Sequence, residues 1–293
     1  MVARVCVVGS VNADLTYTVD ALPQPGQTVL ASSLTTSPGG KGGNQAVAAA
    51  RAGAAVQLVA ALGTDAAAEQ LRSHLEANSV GLAGVVIVPG PSGSAAIIVD
   101  AAAENCIVVA PGANAHLSLT SAAVRSVVAD SDVVLLSLEI PVDTATAAAR
   151  AGRDAGAVVI VNASPAVRPA DLAALAAVAD VVVVNDTEAG DWLGRNRPTV
   201  PHLVVTKGSR GVSHIVDGHQ VDVAAPAVEA IDTTGAGDVF AGVLAAAWPD
   251  GPDYAVRRAC TAGALATLIH GAGNCAPYSE AIDDALDGTT EGP

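Results

Sequence analysis

Four runs in the middle of the chain decide the fold class: DVVLL (132–136), AVVIV (157–161), DVVVV (180–184) and LVVT (203–206). Each is short, β-branched and nearly continuous in its apolar character. That is the pattern of a strand buried on both faces rather than one with a wet side. The Ala-rich stretches between them, 144–155 and 171–177, suit helices that cross over a sheet. Toward the N-terminus, 4–9 reads as a strand, 44–52 as a helix, 56–61 as a strand and 66–77 as a helix. The alternation predicts an α/β architecture, a doubly wound, mostly parallel sheet flanked by helices. Beyond residue 211 the pattern turns antiparallel, 212–216 against 220–223 around Asp217-Gly218, and helices are expected at 236–247 and 253–270. Residues 287–293 read as a frayed end.

Two segments break this rhythm. Residues 15–19 with 28–30, and 94–99 with 105–110, read as hairpins bounded by Pro and Gly. Inserted after elements of the parallel sheet, hairpins at about 14–38 and 91–111 would form a small β-sheet lid over its ligand-binding end. The organisation expected is one domain over 1–293 carrying that lid.

Composition narrows the partners. Hydrophobic residues are 51% of the 293, enough apolar surface to exclude disorder as the main state. No apolar stretch reaches the ~20 residues of a spanning helix, so no membrane is expected. The opening residues show no cleavage pattern of a leader, which points to a soluble cytoplasmic protein. Lys and Arg total 14 against 29 Asp and Glu, and a net charge of −15 repels a phosphate backbone, so no nucleic acid is expected. The four cysteines lack any C-x-x-C spacing, which argues against a disulfide framework or a structural zinc site.

Three stretches carry chemistry. Asn12 and Asp14 lie two apart just past the first strand, so in extended chain both point one way. They hold adjacent sugar hydroxyls or simply form a polar turn. SPGGKGGNQA (37–46) runs into a helix, and its glycines let a ligand approach backbone N–H groups, with Lys41 and Asn44 embedded among them. Neither G-x-x-x-x-G-K-[ST] nor G-x-G-x-x-G occurs. DTTGAGD (232–238) opens the helix 236–247, where free N–H donors and the helix dipole can stabilise charge on a transferred phosphoryl group. Asp238, in the first turn, can take a proton from an attacking hydroxyl. Asn185 and Glu188 could order Mg²⁺-bound water, or the segment is a helix cap formed by Asp186 or Thr187. Residues 206–211 suit nucleotide phosphates or make a tight hairpin, and Glu139 closes a strand as a functional or a solvated carboxylate.

Together these motifs resemble the ribokinase-like (pfkB) family of carbohydrate kinases over nearly the whole chain. The resemblance implies ATP-dependent phosphorylation of D-ribose at O5. In it, Asp238 is the catalytic base and Gly235, Ala236 and Gly237 the anion hole. Asn12, Asp14, Gly40, Lys41, Asn44 and Glu139, with Asp238, would hold the sugar. Asn185, Thr206, Lys207, Gly208, Ser209, Arg210, Gly211, Gly237 and Cys260 would bind ATP, and Glu188 would act on Mg²⁺ indirectly. A monovalent cation, K⁺, would sit at Asp232, Thr234, Ala266, Ile269, Gly271 and Cys275, largely on carbonyl oxygens.

Other acceptors stay open: another sugar, a sugar phosphate or a nucleoside, although six aromatic residues offer little for stacking a base. A non-catalytic sugar sensor on the same fold is a further alternative. Exposed lid edges favour a homodimer through the lid. One departure from the family pattern stands out. Between Leu193 and Leu203 the chain has Pro198 and Pro201 where relatives fit a helix, which should leave one face of the sheet less covered beside the nucleotide loop.

Overall fold

The computed structural model describes residues 1–102, 104–193 and 197–290. In chain order the elements begin β1 (Arg4–Val8), β2 (Asn12–Thr18), β3 (Ser33–Gly39), α1 (Lys41–Arg51), β4 (Ala55–Leu62), α2 (Ala66–Ala77), β5 (Gly81–Ile87), β6 (Gly93–Val99) and β7 (Asn105–Ala110). They continue with α3 (Ala122–Ala129), β8 (Val133–Ser137), α4 (Val142–Asp154), β9 (Val158–Asn162), α5 (Pro169–Ala176), β10 (Val181–Asn185) and β11 (His202–Thr206). The chain closes with β12 (Val212–Val216), β13 (His219–Val223), α6 (Ala236–Ala247), α7 (Pro252–Ala266) and α8 (Ser279–Thr290).

Nine strands form the main sheet in the order β13-β12-β11-β10-β9-β8-β1-β4-β5. It is parallel from β5 to β11, and β12 and β13 are antiparallel. Side chains alternate between two apolar layers: Val5 and Val7 of β1 face α1, α2, α6, α7 and α8, whereas Cys6 and Val8 face α3, α4 and α5. This two-sided burial is the reason for the continuous Val, Ile and Leu runs. From β1 the chain steps to β4 on one side and returns to β8 on the other. That reversal opens a crevice at the carboxyl ends of β1 and β8, where such sheets bind ligands.

Alanine and glycine set the helix spacing. A Cβ placed at Gly242 of α6 would lie 2.4 Å from the Gln45 carbonyl oxygen and 2.8 Å from the Ala48 Cβ, so α1 and α6 cross almost backbone to backbone. At its far end α1 carries Arg51. The guanidinium donates to Asn78 Oδ1 at 2.9 Å and to the carbonyls of Asn274 and Ala276 at 2.9 and 2.7 Å, and it lies over the Tyr278 ring.

The lid is a separate four-stranded sheet, β3-β2-β6-β7. Its two antiparallel pairs are bridged by the parallel pairing of β2 with β6. The strand expected at 28–30 is not there: the return strand is β3, beginning at Ser33. Its sequence, SLTTSPG, is largely exposed and lacks an apolar alternation to announce it. The glycine-rich run is likewise more ordered than expected, because α1 begins at Lys41 rather than at residue 44.

Two further expectations are corrected. Residues 287–290 belong to α8, anchored by buried Ile282, rather than to a frayed end; 291–293 lie outside the described residues. No helix occupies 197–201, and 194–196 lie outside the described residues. The adjacent sheet face is nevertheless covered, since Trp192 is buried in one layer with Leu203 and Val205.

Candidate active site

The cleft at the switch point is built by β1, the lid strand β2, the start of α1 and the end of β8. Gly40 takes a positive φ of 83°, and a Cβ there would lie 2.7 Å from the Asn12 nitrogen. Only glycine lets α1 begin so close to the loop after β1. The start of α1 therefore reaches three carboxylate oxygens at once, one of Glu139 and two of Asp238. The Lys41 N–H donates to Glu139 Oε2 at 3.1 Å, a carboxylate oxygen that also accepts from the Ser10 hydroxyl. Asn44 Nδ2 donates to Asp238 Oδ2 and Gln45 Nε2 to Asp238 Oδ1, both at 3.0 Å.

Asn12 is buried, and its Oδ1 accepts from Asn114 Nδ2 at 2.8 Å, which leaves its own amide hydrogens for the cleft. Asn114 in turn clamps the Val11 backbone through bonds of 3.0 and 3.2 Å. Asp14 Oδ1 is buried without a partner, an acceptor that a ligand hydroxyl could satisfy. Burial first, then the negative charges of Glu139 and Asp238, push the Asp14 carboxyl up to about 7. An upward shift also affects Lys41, where it stabilises the charged form. Asp238 foremost, with Glu139 and Glu188, raises the ammonium above its ordinary value against the effect of burial. The cleft thus gathers carboxylates and carboxamides around one cation, a donor and acceptor set suited to a polyhydroxylated ligand.

Across Asp238 lies a cavity of about 680 Å³ at the carboxyl ends of β10 and β11. Gly235, with φ of 82°, precedes α6, and Val239 is the first residue whose N–H bonds back to the Gly235 carbonyl at 2.9 Å. The N–H groups of Gly237 and Asp238 are left at the positive end of the helix. Asn185, Thr206, Lys207, Gly208, Ser209, Gly211, Gly237 and Cys260 all line this cavity. Arg210 does not; its guanidinium pairs with Asp186. The Lys207 ammonium reaches Asp222 at 3.3 Å. Asn185 and Glu188 bond each other's backbone N–H at 3.1 and 2.9 Å, a reciprocal cap made by a different pair from the Asp186 or Thr187 cap considered above.

The remaining expected residues meet beside α6. Both Asp232 oxygens accept N–H donors, from Thr234 and from Gly271, each at 2.9 Å. Burial works against ionisation there, but those donors hold the carboxyl below its usual range. The Ile231 and Asp232 N–H groups bond the Thr267 carbonyl at 2.8 and 3.1 Å, and the Cys275 thiol faces the Thr234 carbonyl at 3.8 Å. Residues 231–235 and 266–275 are thereby stitched into one loop pair. Among the described residues no group of three or more His, Cys, Asp or Glu could hold a metal ion.

Three participants carried no local signal in the sequence. Gln45, Asn114 and Ser10 find their partners 193, 102 and 129 positions away. The apolar wall of the cavity, from Ala225 to Val228 with Phe240 and Ala264, is equally silent.

The chain matches the pfkB family carbohydrate kinase profile over residues 2–278. It is 34% identical to the ribokinase of Bacillus subtilis, across 97% of this chain and 99% of that protein. It is 30% identical to the deoxyribokinase of Salmonella typhi, across 96% and 98%. A solved structure of Arabidopsis thaliana ribokinase complexed with ribose and ATP superposes with a TM-score of 0.90 at 28% identity, over 98% of this chain and 99% of that one. With the profile matched over almost the whole chain and relatives at 30–34% identity along nearly their full length, the chain belongs to the pfkB family of carbohydrate kinases.

Proposed function

We propose that the chain transfers the terminal phosphoryl group of ATP to O5 of D-ribose, giving D-ribose 5-phosphate. The observation that carries this reading is the place of Asp238. Its carboxylate is held by Asn44 and Gln45 on the cleft side, while its backbone N–H opens α6 beside the 680 Å³ cavity. Asp238 takes the proton from the acceptor hydroxyl, and Gly235, Ala236 and Gly237 form the anion hole. In it the free N–H groups of Gly237 and Asp238 face the charge that develops on the phosphoryl oxygens, while the Ala236 N–H bonds the Thr233 carbonyl at 3.3 Å.

Asn12, Asp14, Gly40, Lys41, Asn44 and Glu139 orient the sugar. The unpartnered Asp14 Oδ1 accepts one of its hydroxyls. ATP occupies the cavity against Thr206–Ser209, Gly211 and Cys260. Asn185 and Glu188 at that edge would hold Mg²⁺ through its bound water, and the ion would neutralise phosphate charge; Glu188 spends one oxygen on the Asn185 N–H and keeps the other. The loop pair holding Asp232, Thr234, Ala266, Ile269, Gly271 and Cys275 fits a large monovalent cation such as K⁺. Both Asp232 oxygens are already engaged by N–H donors, so carbonyl oxygens are the ligands left there.

Residues of the lid cover the sugar and exclude water as a competing acceptor. The chain acts as one ribokinase-like unit, paired with a second copy through the lid, in the cytoplasm. A second reading, 2-deoxyribose as acceptor, is favoured by the 30% identity to a deoxyribokinase.

The test is release of ADP from Mg-ATP against ribose, deoxyribose, fructose, fructose 1-phosphate and adenosine, with and without K⁺. Turnover on ribose, raised by K⁺ and lowered by about three or more orders of magnitude in Asp238→Asn while ribose still binds, is the expected result. Turnover confined to another acceptor overturns the sugar assignment. Ribose binding without turnover on any acceptor points to the sensor.

A further inference from the structure

Gln45 follows Asn44 on α1 and has no solvent exposure, so nothing bound in the cleft can touch it. Its Nε2 nevertheless donates to Asp238 Oδ1 at 3.0 Å, the mate of the bond from Asn44 to Oδ2. Chemistry fixes the orientation of the amide, because turned over it would set Oε1 against a carboxylate oxygen. As it stands, Oε1 is buried with no partner. An orphaned buried acceptor is costly, and an aliphatic side chain of equal length would avoid it. The backbone of Gln45 is itself pinned, since its carbonyl lies where a Cβ on Gly242 would fall.

We infer that Gln45 is a positioning residue for the Asp238 carboxylate, locking the carboxylate plane so that one lone pair stays aimed at the acceptor hydroxyl. The inference rests on Asp238 being the general base. With a donor on one oxygen only, the carboxylate swings about its Cβ–Cγ bond; donors on both oxygens stop it. The effect belongs to the chemical step and not to ligand affinity.

Gln45→Met keeps the length and removes the donor. The expected result is a fall in kcat of about 10- to 100-fold, with KM for sugar and ATP moving by less than about threefold. An unchanged kcat overturns the inference. So does a joint change of kcat and KM that tracks a lowered melting temperature, the mark of a side chain that only fills space.

Gln45→Glu covers failure of the first variant to fold. Beside Asp238 its new carboxyl retains a proton at lower pH and donates, then loses that proton as the pH rises. Its rate relative to the parent should fall between about pH 6 and about pH 9. A flat ratio overturns the inference. The titratable groups coupled to Asp238, namely Asp14, Lys41 and Cys275, and Glu139 beside the first two, are common to both proteins and cancel in that ratio. Asp238→Asn, assayed alongside, separates the two ideas. If it retains turnover, the base assignment fails and takes this inference with it; if it is dead while Gln45→Met is unaffected, the inference fails alone.

Discussion

A single carboxyl in the cleft makes the folded chain respond to pH in an unusual direction. Asp14 ionises near 7 in the folded protein against an ordinary value of 3.8, so between those values the folded state binds the extra proton. Its contribution to stability therefore declines as pH rises from about 4 to about 7 and is flat above. Asn at this position cannot ionise. In thermal scans without sugar, Asp14→Asn should melt higher than the parent at pH 8 and level with it at pH 4, and an equal offset at both pH values would count against the assignment. Three pK units correspond to at most about 4 kcal/mol, reduced to about 1–2 at a partly exposed site. Sugar affinity should fall in the same variant, because an acceptor for a hydroxyl is removed. The type and place of Asp14 were legible from an Asn-x-Asp step after a strand. Its environment was not, since Glu139 and Asp238 come from distant strand and helix ends.

At the scale of elements, the α1–α6 crossing is the joint on which the cleft depends. Gly242→Ala adds one methyl group against backbone at 2.4 Å. The higher helix propensity of alanine returns at most about 1 kcal/mol, whereas overpacking costs about 1–3, and a backbone atom cannot swing aside. The net expectation is a melting temperature lower by about 2–6 °C, measured by calorimetry. Turnover should fall with it, because Asn44 and Gln45 are carried away from Asp238; unchanged turnover would mean that the crossing does not set their reach.

Elements with strong periodicity were read to the residue: α2, β12 and α6 start and stop where their sequences say. The misses have physical causes. β5, GLAGVVI, pairs along one side only and carries two glycines that blur its pattern. β3 is mostly exposed and holds a Pro and a Gly, so it looks like loop until β2 supplies its partner. α8 is acidic, and distant partners make it a packed element: Ile282 and Leu286 join the core layer, and Arg258 of α7 bonds Ser279 and Asp283.

For the whole molecule, the lid is the part whose surface does not match its surroundings. Every residue of β7 is exposed, and apolar side chains stand on both of its faces: Ile107 and Val109 share the face of Asp14, and Val108 shares that of Leu34. Unpaired edges of this kind are normally covered. Sedimentation velocity should return twice the chain mass, and Ile107→Lys with Val108→Lys, one charge on each face, should return the chain mass once. A monomeric parent would remove the lid from consideration as an interface.

One consequence follows from the helix that begins at Lys41 and ends at Arg51. Its front turn grips Glu139 and Asp238; its rear guanidinium grips the carbonyls on either side of Cys275, at the end of the loop pair proposed above to take a cation. Eleven residues of one helix join the two ends, so a displacement at either end would be carried toward the other. Were an ion there to strengthen sugar binding by some factor, sugar would strengthen ion binding by that same factor, because linkage between two binding equilibria is reciprocal.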